Sequence, residues 1–388
     1  MLEKLFNKLR SKISSAGRQK IAMTNGFACS FLQLILTLAL AMTMLLPLVG
    51  CDLTTSNDNQ NSVANSNYNN GDDTENTTLK IVTTNFVLYD FARVIGGDAI
   101  SVQMLLKPGA ELHSYEPTPQ DIIAIQECDV FLYIGGESDT WVNDILGSMD
   151  TSKIMLLRMM DSVSTLGEVI VEGMQTENEE SDAENSDLED SVNQASEGQV
   201  SDDQAAELQS DEPELDEHIW TSPKNAITMV NAISSALMAA DQNNSALFEN
   251  NAQTYISELT KLDESFQDVV ASAKRTTLVF GDRFPFLYLT HELGLSYYAA
   301  FPGCSTETDA SPATIAFLIE KTKAEQIPVI LKVEMSSSQI ADLISEGSGA
   351  KVLTLHSVHN VSANEFTSGA SYLSLMKENV KVLREALQ

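Results

Sequence analysis

A chain of 388 residues carrying 55 Asp and Glu against 23 Lys and Arg, with 43% hydrophobic residues, has the length of two domains and ample apolar content for buried cores. Its formal net charge of -32 argues against nucleic acid as a partner, because a polyanion is bound by neutralising its phosphates with Lys and Arg. A cationic ligand suits this balance.

The amino-terminal stretch opposes the rest of the chain, with Lys4, Lys8, Arg10, Lys12, Arg18 and Lys20 set against Glu3 alone. A basic region, the apolar run Phe27 to Val49 and a small residue before Cys51 follow the order of a secretory signal. Leu48-Val49-Gly50-Cys51 resembles the bacterial lipoprotein signal, which implies cleavage before Cys51 and acylation of its thiol. Two or more acyl chains hold a protein stably where one is marginal, so the expectation is a lipid anchor on the extracytoplasmic face of the cell membrane. An uncleaved transmembrane helix is the competing reading, since the run is about long enough to span a bilayer. Pro47 and the abrupt change at Cys51 favour processing. Residues 1–50 are therefore read as the signal peptide. Residues 51–78, rich in Asn, Ser, Thr and Asp, are read as a disordered tether. Of the remaining cysteines, Cys29 leaves with the signal, and spacing does not decide whether Cys128 and Cys304 pair. A packed free thiol is the default for Cys128, beside a buried strand.

From Leu79 onward, strand-length apolar runs alternate with helical patterns, the mark of parallel sheets with crossover helices. The predicted strands are Leu79 to Thr83, Val102 to Leu106, Val130 to Ile134, Ile154 to Leu157, Thr277 to Phe280, Ser296 to Ala300, Val329 to Val333 and Lys351 to Leu355. Four strands on each side of a helical middle predict an α/β protein of two (β/α)4 lobes. The first lobe takes residues 79–222, a helical linker region 223–275 and the second lobe 276–388. Ser222 as N-cap with Pro223 at the first helical position opens the first middle helix. The second runs from about Leu247 to Lys274 with apolar residues at helical spacing, roughly 40 Å of stiff connection. Between Glu172 and Glu217 lies a low-complexity insert of eighteen acids without Lys or Arg, which self-repels and is read as a disordered loop.

Five histidines carry most of the chemical information. His113 sits in the loop Lys107 to Pro119 after the second strand, and His218 follows the insert in Asp216-Glu217-His218-Ile219-Trp220. His356 and His359 follow the last strand, and His291 belongs to a helical stretch and is read as structural. Open α/β sheets bind ligands off the carboxyl ends of their strands, so loops after strands two, five and eight converge on one crevice. The fifth strand ends in Gly281-Asp282-Arg283 and adds a carboxylate there, with Arg283 as a candidate to orient Asp282. Imidazole nitrogens with one carboxylate oxygen suit a borderline divalent ion such as Zn²⁺, whereas Ca²⁺ or Mg²⁺ wants mostly oxygen. Glu137 and Trp141 are candidate cleft residues, with a solvated acid and a packed aromatic as the plainer readings. Asp309 and Ser311 in Thr308-Asp309-Ala310-Ser311-Pro312 are read as caps of the next helix.

The loop around His113, the run 216 to 226 and the closing Ser371-Tyr372-Leu373-Ser374-Leu375-Met376 with Asn379 resemble the metal-binding receptors of ATP-binding cassette importers, the zinc and manganese group of solute-binding proteins. The resemblance covers about Leu79 to Gln388. It implies two lobes joined by a rigid helix, one metal in the cleft between them and delivery to a membrane permease and its ATPase, by a monomer. It places the ligands at His113, His218, Asp282 and His356, with His359 competing for the fourth position. Three nitrogens and one oxygen favour Zn²⁺ over Mn²⁺ as the transported ion. In such receptors the insert is often His-rich, and here it offers only carboxylates.

A zinc hydrolase is the alternative from another class, with a water on an open fourth position. Neither a His-Glu-x-x-His helix nor a Gly-x-Ser-x-Gly elbow occurs, and four protein ligands would close the sphere. The expectation is a receptor and not an enzyme. A metal-dependent surface adhesin of the same fold is the third reading.

Overall fold

The computed structural model describes residues 78–111, 114–174, 214–305 and 309–388. The expected signal peptide, Cys51, the tether, His113 and most of the acidic insert lie outside the described residues.

The first sheet is built from β1 (Leu79–Thr83), β2 (Ile100–Met104), β3 (Val130–Tyr133) and β4 (Met155–Arg158). The strands run parallel in the order β2-β1-β3-β4, with Leu79 opposite Ile100 and Ile81 opposite Val130. The crossovers are helical: α1 (Phe86–Gly96), α2 (Pro119–Gln126) and α3 (Thr140–Ser148). Asn85 caps α1 by accepting the Leu88 N–H, and Thr118 with Asp121 closes a capping box on α2. These side chains satisfy N–H groups that the first helical turn leaves without partners.

Ser222 accepts the Asn225 N–H and Pro223 follows it, so α4 (Pro223–Ala240) begins where the cap signal places it. It covers β3 and β4 of the first sheet and packs on α1. The connection between lobes is α5 (Ser245–Ala271), 27 residues and roughly 40 Å long. Phe248, Ala252, Tyr255, Leu259, Leu262, Phe266 and Val269 recur every three or four positions and form its buried stripe. Each large side chain on that stripe contributes about 1.5–3 kcal/mol by leaving water.

The second sheet repeats the first. Its strands β5 (Thr277–Arg283), β6 (Ser296–Phe301), β7 (Val329–Lys332) and β8 (Lys351–Thr354) run parallel in the order β6-β5-β7-β8. Between and after them come α6 (Leu287–Leu293), α7 (Pro312–Ala324), α8 (Gln339–Ser348), α9 (Ala363–Thr367) and α10 (Tyr372–Ala386). Of the two expected caps of α7, Ser311 is the N-cap, its side chain accepting the Thr314 N–H. The last helix returns across α5 and α1, and the Tyr372 N–H donates to the buried Asp90 carboxylate of α1 at 2.9 Å.

The departure that bears on the site is β5, which runs three residues further than expected, to Arg283. A register irregularity between Phe280 and Arg283 lets the strand keep pairing up to Phe301 of β6. Asp282 consequently lies inside the strand and not in a loop beyond it. Among the described residues, no helix is long and apolar enough to cross a membrane.

Candidate metal centre

His218 follows the insert at the start of a short 3-10 turn, Ile219–Thr221, whose side chains are buried. Its own N–H donates to Asp216 Oδ1 at 2.8 Å, and its Nδ1 lies 3.1 Å from the same oxygen. The carboxylate accepts a hydrogen bond from Nδ1–H, which puts the ring's lone pair on Nε2. Burial works against a charged His218 ring, but Asp216, Glu217 and Glu168 outweigh it and hold its pKa above the usual histidine value.

From the other lobe, the loop after β8 brings His359 edge-on to His218, with ring centroids 4.5 Å apart. Trp220 packs beside both rings, at 5.5 and 5.2 Å, and its indole N–H donates to the Ser357 carbonyl at 2.8 Å. One indole therefore fastens the two histidine-bearing segments together. Glu217 completes the group: it, His218 and His359 each offer a ligand atom within 4.8 Å of the others. Its carboxylate accepts from the Ser138 N–H at 2.9 Å and from the Ser138 hydroxyl. A carboxylate has about four lone-pair sites, so these bonds orient Glu217 without exhausting it.

Two glycines make room. A Cβ on Gly136 would lie 2.2 Å from the Glu217 Cβ, and one on Gly303 would lie 3.2 Å from His218 Cε1. Between the lobes, beside His359, a crevice lined by Ala110, Glu111, Arg283 and Glu334 holds about 20 Å³. That suits an ion and not an organic solute, whose pockets run to hundreds of Å³.

Of the sequence-predicted ligands, the structure brings His218 into this group and places Asp282 and His356 outside it. Asp282 accepts from the Val333 N–H at 3.0 Å, the Arg283 N–H at 2.9 Å and the Ser336 hydroxyl, so it ties β5 to the loop after β7. Burial nonetheless raises its pKa, against those three bonds. His356 accepts the Val358 N–H on Nδ1 at 3.0 Å, and its backbone is clasped from both sides by the Asn379 amide, at 2.8 and 2.7 Å. Its nearest acid to Nε2 is Glu365, at 4.0 Å. The Arg283 guanidinium does not orient Asp282 but crosses to Glu111, in the loop that continues to His113. That loop is docked on the second lobe by Asn360, which donates to the Lys107 and Ala110 carbonyls at 2.7 and 2.9 Å.

Sequence reading passed over Glu217, although it adjoins His218, and over Glu334, an acid at the carboxyl end of a buried strand. Glu137 belongs to a group of acids: burial, then Glu214 and Glu217, raise its pKa to about 7. Trp141 packs against Tyr115 at 5.5 Å. Cys128 and Cys304 are free thiols, and burial raises the pKa of Cys128 to about 12. His291 is exposed in the last turn of α6.

The chain is similar in sequence and in fold to zinc-binding proteins. The zinc-binding lipoprotein AdcA of Streptococcus pneumoniae is 29% identical over 308 residues, 79% of this chain, and the chain spans only 55% of AdcA. The high-affinity zinc uptake protein ZnuA of Bacillus subtilis is 29% identical over 323 residues, covering 83% of this chain and 92% of ZnuA. Among solved structures, the Zn(II)-bound ZnuA-like domain of S. pneumoniae AdcA superposes with a TM-score of 0.62 at 27% identity, over 80% of this chain and 99% of that domain. The metal-dependent lipoprotein YcdH of B. subtilis gives 0.63 at 26%, over 80% and 100%. Residues 81–386 match the family described as zinc-uptake complex component A, periplasmic, and the chain belongs to that family.

Proposed function

We propose that the protein is an extracytoplasmic receptor that captures Zn²⁺ between its lobes and hands it to a membrane permease of the ATP-binding cassette class. The observation that carries this reading is the group Glu217, His218 and His359, contributed by both lobes and close enough to share one ion. His113 is the proposed fourth ligand, from the loop that Asn360 and Arg283 dock against the second lobe. Three imidazoles and one carboxylate make a closed set of the kind that holds Zn²⁺ tetrahedrally, and it is too rich in nitrogen for Mn²⁺. In this set His359 stands in preference to His356, and Glu217 supplies the oxygen in preference to Asp282.

A closed sphere leaves no position for an attacking water, so the activity is coordination and not hydrolysis. Zinc-binding relatives named as lipoproteins support the anchoring of this chain through Cys51, on the outer face of the membrane.

Metal-stripped protein titrated with Zn²⁺ and Mn²⁺ by calorimetry tests the reading. One tight Zn²⁺ site per chain is expected, weakened at least 100-fold by His218→Ala or His359→Ala and little changed by His356→Ala. A chain that binds neither ion tightly ends the receptor proposal.

A further inference from the structure

His356 and His359 stand three residues apart in one loop, yet their rings are held in opposite ways. His356 uses its Nδ1 as an acceptor for the Val358 N–H at 3.0 Å, with Glu334 Oε1 farther from the same nitrogen, at 3.4 Å. A neutral imidazole that accepts on Nδ1 carries its proton on Nε2 and has no second lone pair. Val358 makes this contact with φ at +62°, a rare setting for a β-branched residue. His359 has the reverse surroundings. Its Nδ1 lies 2.5 Å from the Ser357 hydroxyl oxygen, and that hydroxyl lies 2.6 Å from Glu334 Oε1. The Ser357 N–H donates to the other oxygen of Glu334 at 2.7 Å, so the carboxylate accepts twice from one residue.

A hydroxyl has one proton. Given to Glu334, it leaves the Ser357 oxygen able only to accept from His359, which puts the imidazole proton on Nδ1 and the lone pair on Nε2.

Resting on the metal-capture reading above, we propose that Glu334 and Ser357 are positioning residues, a carboxylate–hydroxyl relay that fixes the tautomer of His359 and thereby makes it a ligand. Asp216 does the same for His218 in one step, by a direct contact of 3.1 Å to Nδ1. The two lobes thus present matched imidazoles, each backed by an acid, one directly and one through Ser357. Backing of this kind orients a ligand ring and raises its basicity, and its removal typically costs about 10–100-fold in metal affinity. His356 also has Glu334 near its Nδ1, at 3.4 Å, but the Val358 N–H lies closer to that nitrogen, at 3.0 Å, and holds it as an acceptor.

The test uses the full chain, metal-free, labelled with ¹⁵N in its histidines. Long-range ¹H–¹⁵N spectra distinguish the two tautomers, and His359→Ala assigns the resonance. His359 is expected as the Nδ1–H form in the unaltered protein. Ser357→Ala is expected to lose that preference and to bind Zn²⁺ about 10–100-fold more weakly in chelator competition. Ser357→Thr, which keeps the hydroxyl, restores both. Finding the Nε2–H form in the unaltered protein overturns the relay without need of any variant. So does a Ser357→Ala chain that binds like the unaltered one while His359→Ala does not. If His359→Ala itself binds Zn²⁺ normally, the ligand assignment fails and the relay with it.

Discussion

Arg283 at the end of β5 and Glu111 in the loop after β2 form a two-pronged ion pair between the lobes, Nη1 to Oε1 at 3.2 Å and Nη2 to Oε2 at 3.3 Å. The same guanidinium reaches the Ser305 carbonyl at 3.4 Å, so one side chain ties three segments around the crevice. Guanidinium suits this because its planar fork matches a carboxylate, which an ammonium cannot do.

Breaking that fork should speed metal release more than it slows capture. Half-exposed pairs are worth about 0.2–1 kcal/mol, which corresponds to no more than a fewfold change in rate. Arg283→Gln or Glu111→Gln is expected to raise the Zn²⁺ dissociation rate about two- to fivefold in stopped-flow chelator trapping. The difference should fade at high salt, where exposed charges are screened. Exchange of the two charges, Glu111→Arg with Arg283→Glu, should recover most of it. Identical release from all these chains would mean that the pair does not hold the lobes.

Gly136 offers a second check, on Glu217. Because a Cβ there would fall 2.2 Å from the Glu217 Cβ and 2.4 Å from its Oε2, Gly136→Ala must push the carboxylate away from the two histidines. The expected result is Zn²⁺ binding weakened by at least tenfold in calorimetry. Gly147, whose added Cβ meets nothing within 4 Å, supplies the control in Gly147→Ala.

The acids around the site predict how pH acts on the metal-free protein. Glu137 ordinarily titrates near 4.5 and is raised to about 7 by burial and by Glu214 and Glu217. A carboxyl raised on folding contributes stability that is full below pH 4.5 and is lost as pH climbs through 7. Thermal melts of the metal-free chain should therefore decline over that window, and Glu137→Gln should flatten the decline. Zn²⁺ bound by Glu217 neutralises part of the repulsion, so the loaded protein should show the shallower dependence. Zn²⁺ affinity runs the other way and rises with pH, because His218, held above the usual histidine pKa by its acids, must give up a proton to bind. A metal-free melt that rises from pH 4.5 to 7 would contradict the first of these signs.

Much of this architecture was legible in the residues because it follows from local rules. Strands such as Leu79–Thr83 are continuous apolar runs bounded by polar turns, and Ser222-Pro223 announces a helix start that α4 obeys. His218 was legible because an acid precedes it and a buried turn follows. What spacing could not reveal was the direction of each side chain. Asp282 reads as a loop acid at a strand end, but an irregularity in β5 keeps it in the strand and turns it to the Val333 N–H. His356 and His359 are alike by position, but the Val358 N–H meets Nδ1 of the first and the Ser357 hydroxyl meets Nδ1 of the second. That difference depends on Glu334, more than twenty residues earlier on a neighbouring strand end, and no local pattern carries it.

Trp220 joins fold to site, and its replacement should separate the two. Its ring is fully buried beside His218 and His359, its N–H donates to the Ser357 carbonyl, and its own carbonyl accepts from the Tyr372 hydroxyl at 2.7 Å. Trp220→Phe keeps an aromatic ring but leaves the Ser357 carbonyl without that donor, at a cost of about 1–3 kcal/mol. For a chain of this size the melting temperature of the metal-free protein should fall by about 2–10 °C. The variant keeps Glu217, His218 and His359, so saturating Zn²⁺ should still raise its melting temperature by mass action. The gain should be smaller than in the unaltered chain, because part of the binding energy is consumed in drawing the Ser357 loop back against the first lobe. Calorimetric melts with and without Zn²⁺ measure both quantities. A metal-free melting temperature that does not move would show that the seam between the lobes is held elsewhere.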